Sequence, residues 1–278
     1  MSHQNHKRIF IIRKRFIVLI VIALVTQITG QIASTNHSSS RSKVVGGTEV
    51  KISDVPFLLS FHSRRDGFIC GAVIVSAWWG MTALHCLKPG SKSARYYFVR
   101  AGSSINVVGG SVHRLRKLYS YDSTFFDGKS IPTYDIVLFK VATPFRFSNN
   151  VKPAKLPREG SVPPKSLSVS GWGRSDMSGE ARLDMTSSVF LQKAQVSRVD
   201  WKDCIEATSW YEWIVDERTH LCYGEASVDA CYGDSGGPLA DSTTVYGIVS
   251  FGDGCGVSPG IYTKVLYYRR WIKRIIKL

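Results

Sequence analysis

The sequence predicts an all-β domain closed by a C-terminal helix. Three observations carry this. Short β-branched or aromatic runs recur along the chain, Gly/Pro/Ser/Asp turns separate them, and helical spacing of apolar residues is confined to the last dozen positions. In chain order, residues 1–15 hold Lys7, Arg8, Arg13, Lys14 and Arg15 with no acid, and an uninterrupted apolar run of ten follows from Phe16 to Val25. This reads as a secretory signal peptide over residues 1–30. The run is well short of the roughly 20 residues a spanning helix needs. An uncleaved anchor, extended by Ile9 to Ile12, is the second reading. Residues 31–43 turn to Ser, Thr, Asn and basic residues, too polar for a core, and form an expected pro-segment carrying the sequon Asn36-His37-Ser38. The remaining 235 residues, 44–278, suit one all-β unit without solenoid repeats. Its expected strands are Phe57–Phe61, Ala72–Val75, Ile136–Val141, Leu167–Ser170, Val189–Leu191, Val245–Phe251 and Gly260–Val265. From Tyr267 to Leu278, Arg269, Arg270, Lys273, Arg274 and Lys277 alternate with Trp271, Ile272, Ile275 and Ile276, as in a helix with one buried stripe and one solvated basic face. Such a helix could also lie on a membrane.

The formal charge of +15 overstates this unit. Seven of the 36 Lys/Arg and none of the 21 Asp/Glu lie in residues 1–43, which leaves a surplus of eight. That surplus favours polyanions by long-range attraction without selecting one, and specific nucleic-acid recognition is not expected. Six cysteines in a secreted setting predict disulfides, with 15 connectivities open. No paired Cys/His spacing of the zinc kind is present.

Chemistry concentrates in Cys231-Tyr232-Gly233-Asp234-Ser235-Gly236-Gly237-Pro238, which holds a candidate nucleophile, candidate oxyanion donors and a candidate buried counter-ion. A serine hydroxyl is a weak nucleophile at neutral pH and needs a base beside it and donors facing the developing oxyanion. Glycines on both sides let the amides of Gly233 and Ser235 point at one spot. A surface Gly/Asp/Ser turn is the bland alternative, weak for so long a match. Upstream, Thr82-Ala83-Leu84-His85-Cys86 supplies a histidine and Tyr134-Asp135-Ile136 a carboxylate. Alone each is more often structural, but the order His, Asp, Ser is that of chymotrypsin.

On these residues the chain from Val44 to about Ile276 resembles the trypsin-like serine proteases of the chymotrypsin fold. Further motifs agree: Val44-Val45-Gly46-Gly47 is similar to the new N-terminus of an activated zymogen, Cys70-Gly71-Ala72 to the segment before the histidine, and Gly171-Trp172-Gly173 to the hinge opening the second barrel. Ser250-Phe251-Gly252 and Pro259-Gly260-Ile261-Tyr262 are similar to the walls of the substrate cleft. Ala72, Leu84 and Phe251 depart from the usual Gly, Ala and Trp. The resemblance implies two six-stranded antiparallel β-barrels with a C-terminal helix, meeting near residue 160, and a catalytic triad of His85, Asp135 and Ser235 in the cleft between them. It implies an oxyanion hole at Gly233 and Ser235, and a primary pocket with Asp229 at its base and Gly252 and Gly260 as walls. The resemblance also implies that Ser250 supports Asp135 and belongs with the substrate-binding residues. It pairs Cys70 with Cys86, Cys204 with Cys222, and Cys231 with Cys255. Activation by cleavage after Lys43 would free Val44 to pair with Asp234. Trp210, Tyr211, Trp213 and Phe251 could form an aromatic surface along the substrate, or pack on one another.

The expected function is thus a secreted, extracellular, monomeric endopeptidase cutting after Arg or Lys. Its expected partners are protein or peptide substrates, an activating protease, which could be the enzyme itself, and serpin-type inhibitors. No metal or cofactor is expected: Ala101 to Tyr121 lacks the acids of a calcium loop, and Pro259 disfavours a sodium site. The alternative is a non-catalytic homologue used as a binding or cofactor module.

Overall fold

The computed structural model describes residues 46–88, 93–122, 133–173, 188–224 and 229–277. The expected signal peptide and pro-segment, with Lys43 and Val44, lie outside them. Two β-structures make up the fold. The first is a closed antiparallel barrel in the order β2 (Leu58–Ser63), β3 (Gly67–Ser76), β4 (Trp79–Thr82), β7 (Val137–Val141), β6 (Ser111–Ser120) and β5 (Tyr97–Ala101), with β5 returning to β2. The second is a seven-stranded sheet, β1 (Thr48–Glu49), β9 (Gln192–Ser197), β8 (Ser166–Gly171), β11 (Pro238–Ala240), β12 (Val245–Phe251), β13 (Gly260–Lys264) and β10 (His220–Tyr223). Six of its strands bend round until the end of β9 meets the end of β10: Arg198 bridges Tyr223, Val199 N donates to Cys222 O at 3.1 Å, and Gly224 N donates to Ser197 O at 2.9 Å. The expected pair of barrels is present, the second closed at one corner and extended by β1.

Burial explains which runs were visible in advance. β7 and β12 carry almost unbroken apolar side chains because both faces are covered. By contrast, Val189 and Phe190 are exposed, and Phe190 makes only an isolated bridge to Ile105. The strand expected at Val189–Leu191 instead begins at Gln192, where Gln192, Ala194 and Val196 face inward from a mostly polar sequence. β6, with Arg114, Arg116 and Lys117 on its outer side, was hidden for the same reason.

Two short helices, α1 (Trp201–Glu206) and α2 (Tyr211–Ile214), fill the loop closed by Cys204–Cys222. The other expected bridges, Cys70–Cys86 and Cys231–Cys255, are also formed. The terminal helix α3 (Val265–Ile276) buries Val265, Tyr268, Trp271, Ile272 and Ile276 as one stripe and turns Arg270 and Arg274 to solvent. Glu159 pairs with Arg270 and lies 3.7 Å from Arg269. Among the described residues no helix is long and apolar enough to cross a membrane.

Candidate active site

His85 sits on a single helical turn, Leu84–Cys86, held from behind by its disulfide to β3, while Asp135 stands two residues before β7. Strand β4 leads to the first and pairs with β7 beyond the second. The barrel therefore fixes both, although they are fifty residues apart in sequence. Asp135 is 1% exposed. Its Oδ1 accepts the backbone N–H of His85 at 2.9 Å and its Oδ2 lies 2.7 Å from His85 Nδ1. From the second sheet, Ser250 Oγ donates to the same Oδ2 at 2.5 Å and Thr263 Oγ1 to the Asp135 carbonyl at 2.9 Å.

These contacts set the protonation states. Burial would raise the Asp135 pKa, but the charge and hydrogen bond of His85 and the Ser250 hydroxyl outweigh it, so the carboxyl lies below its ordinary value. Burial pulls His85 down, while Asp135 reverses this by charge and hydrogen bond and leaves it raised. With Asp135 ionised, Nδ1 is the donor in neutral His85, and Nε2 is left as the basic atom. His85 and Ser235 line one cleft, together with Asp229, Ser250, Gly252 and Gly260.

The serine loop is shaped by glycines that no other residue could replace. Gly236 has φ +75°, and a Cβ there would stand 2.1 Å from Thr82 Oγ1 and 2.5 Å from Gly71 O. Gly71 N in turn donates to Ser235 O at 2.8 Å, tying the loop to β3. Gly233 has φ +100°. The amides of Asp234, Gly236 and Gly237 are spent on backbone carbonyls, whereas among the described residues nothing accepts from those of Gly233 and Ser235. Two unused donors therefore flank the serine.

Two carboxylates are buried around this loop. Asp234 is fully enclosed, accepting Gly173 N at 2.7 Å and Cys231 N at 3.0 Å, and burial pushes it up to about 7 against those two bonds. Gly171 and Gly173 form its wall: a Cβ on either would come within 2.3 Å of a carboxylate oxygen. The Gly-Trp-Gly motif thus walls in a buried carboxylate. Asp229, 1% exposed in the lining of the cleft, accepts Ala230 N at 2.7 Å and the Tyr262 hydroxyl at 3.4 Å, and burial raises it to about 7 as well. A Cβ on Gly260 would lie 2.6 Å from Asp229 Oδ1, so that glycine keeps the carboxylate reachable. Ser250, expected among the substrate-binding residues, lines the cleft but commits its hydroxyl to Asp135.

Trp210 and Tyr211 pack against Phe251, and the Tyr211 hydroxyl joins Pro259 O to Asp253 N, whereas Trp213 is 81% exposed. Of the two alternatives for these aromatics, packing holds for the first two and exposure for the third. Sequence reasoning assigned no role to Thr82 or Thr263 and placed Tyr262 only among the cleft walls. Each lies inside a quoted or predicted segment, but a hydroxyl's partner on another strand or loop leaves no local signal.

The sequence profile of the trypsin family matches residues 44–272. Among curated proteins the chain is 33% identical to trypsin 5G1 of Aedes aegypti over 247 residues, covering 86% of this chain and 87% of that one. It is 31% identical to trypsin alpha of Drosophila melanogaster, covering 92% and 96%. It is 33% identical to a trypsin of Phaedon cochleariae, covering 83% and 87%. With this match over most of its length, and with the two-barrel fold, the chain belongs to the trypsin family and is a trypsin-like serine endopeptidase.

Proposed function

We propose that this endopeptidase is a secreted zymogen, switched on by cleavage between Lys43 and Val44, that cuts polypeptides after Arg or Lys with His85, Asp135 and Ser235 as its triad. The supporting observation is the hydrogen-bonded relay from Ser250 through Asp135 to His85, opening on a cleft that Ser235 and the buried Asp229 both line. In this reading Ser235 Oγ attacks the scissile carbonyl carbon as its proton passes to His85 Nε2. The imidazolium, stabilised by Asp135, then protonates the leaving amine as the C–N bond breaks, and water repeats the sequence on the acyl-enzyme. The amides of Gly233 and Ser235 bind the oxyanion, each donor contributing about 3 kcal/mol.

Asp229 would select cationic side chains, because an apolar one leaves the buried carboxylate unpaired. Residues 1–30 would be the signal peptide, 31–43 the activation segment and 44–278 the monomeric protease. Freed Val44 would bring an ammonium to Asp234, a pairing that offsets the burial of that carboxylate and holds the Gly233 amide in place. Lys43 fits cleavage by a protease of this same specificity. Serpin-type inhibitors would share the cleft with protein substrates.

The test is a panel of Arg, Lys and Leu peptide amides with the protein cleaved after Lys43, alongside a serine-directed phosphonate. Cleavage after Arg and Lys, and labelling lost in Ser235→Ala, are expected. Protein that begins at Val44 yet neither labels nor cuts would instead be a non-catalytic homologue. Full activity from a Lys43→Gln chain that still begins before Val44 would refute the switch.

A further inference from the structure

The peptide between Tyr232 and Gly233 carries one of the two unused donors beside Ser235, yet hydrogen bonding does not orient it. Among the described residues neither the Tyr232 carbonyl nor the Gly233 N–H makes a hydrogen bond, and the Tyr232 side chain is exposed. Gly233 has φ +100°, a conformation that glycine enters and leaves with little penalty. Rotating this peptide would put a carbonyl oxygen where the N–H now stands, so packing has to hold it. Two groups lie against it. A Cβ on Gly233 would meet Gly173 Cα at 3.1 Å and Phe68 Cε1 at 3.7 Å, which makes Phe68 the nearest side chain on that face. Gly173 is itself pinned, because its N–H donates to Asp234 Oδ1 at 2.7 Å.

Phe68 is aimed there by a bulge. Strands β2 and β3 pair Phe61 with Cys70 but His62 with Phe68, which leaves Ile69 as the extra residue and bends the hairpin end. The Phe68 ring stands edge-on to Trp172, with centroids 6.0 Å apart, and edge-on to His62 at 5.8 Å. Both neighbours are buried and fixed. Trp172 Nε1 donates to Ser104 O at 3.0 Å, and His62 stacks on Phe98 at 4.6 Å. Ser60 Oγ donates to Asn106 O at 2.9 Å, so its lone pair accepts from His62 Nε2, also at 2.9 Å. Burial, with the Arg100 charge nearby, lowers the His62 pKa to about 4, and the imidazole therefore stays neutral at neutral pH. We propose that Phe68, braced by His62 and Trp172, is a positioning residue that keeps the Gly233 N–H directed at the oxyanion. The proposal rests on the endopeptidase reading of the cleft and on Gly233 as an oxyanion donor. Phe68 acts through Gly233, so the charge of the transition state feels it and a cation held at Asp229 does not.

Two inhibitors separate this role from a purely structural one. A peptidyl arginine trifluoromethyl ketone bonds its carbonyl carbon to Ser235 Oγ as the serine proton passes to His85, and so places an oxyanion at the Gly233 amide. A small arylamidine fills the primary pocket and brings no oxyanion. Phe68→Ala should lower kcat on an Arg peptide amide by about tenfold to a hundredfold, somewhat less than outright loss of a donor, with KM little changed. Its affinity for the ketone should fall by the same factor, while its affinity for the amidine stays that of the parent enzyme. Phe68→Leu keeps apolar bulk against Gly233 and should recover most of the loss. Unchanged kcat and ketone affinity in Phe68→Ala would overturn the proposal, as would equal weakening of both inhibitors, or a Leu variant no better than the Ala one. If Phe68→Ala does not fold, His62→Ala withdraws only the brace and reads the same ratio of ketone to amidine affinity; a ratio unchanged there overturns the proposal too. Failure of the endopeptidase reading looks different, because parent protein beginning at Val44 would then neither turn over the peptide nor bind the ketone.

Discussion

Asp229 and Asp234 show how one physical cause serves two ends. Both are pushed to about 7 because burial penalises the charged form, and backbone amides only partly offset it. At Asp229 the missing counter-charge would come with the substrate. A cation binding there stabilises the ionised form, so binding must release a proton whenever the free carboxyl is protonated. The inhibition constant of a small amidinium competitor should therefore weaken as pH falls below about 7, and competition assays across pH 5–9 would measure it. Asp229→Ser should abolish most activity on Arg and Lys substrates and leave slow phosphonate labelling intact. An unchanged preference for basic residues would mean the carboxylate is elsewhere. Ser250 acts on a different quantity. Its hydroxyl bonds the Asp135 oxygen that orients His85, so Ser250→Ala should lower kcat about tenfold, the equivalent of roughly 1.4 kcal/mol, with KM little changed. Steady-state kinetics separate the two parameters.

Among the elements, the loop from Cys231 to Gly237 depends on steric fit more than on its own hydrogen bonds. Gly236→Ala would impose both a left-handed backbone and a Cβ overlapping Thr82 and Gly71, so phosphonate labelling should vanish and thermal unfolding should show a loss of more than about 2 kcal/mol. Normal labelling in that variant would contradict the described loop. The motif was legible because it is contiguous: eight neighbouring residues announce their chemistry without reference to the rest of the fold. The strands β7 and β12 were legible because both faces are apolar. Strand β9 was misplaced because an outward Val189 and Phe190 imitate a buried run, while the true strand alternates Gln, Lys, Ala, Gln, Val and Ser. Helices α1 and α2 were unreadable since four to six residues give no period to detect, and the disulfide Cys204–Cys222, not helix propensity, holds their loop.

At the scale of the whole molecule, the buried carboxyls make stability depend on pH. A group whose folded pKa is raised contributes stability that is fully present below its unfolded value near 4 and is lost as pH rises through the folded value, here about 7. The uncleaved chain should consequently unfold at lower temperature at pH 8 than at pH 5, with a smaller difference in Asp234→Asn, as calorimetry would show. Protein starting at Val44 should also show a smaller difference if the new ammonium meets Asp234. The two β-structures are joined at Asp135 as much as by the connecting chain, since the first barrel supplies the His85 bonds and the second sheet those of Ser250 and Thr263. Asp135 thus lies on the seam of the molecule. Slight parting of the halves would unmake the catalyst while each half kept its strands, so on gradual heating turnover should fade before the far-ultraviolet dichroism changes, and the enzyme would serve as its own strain gauge.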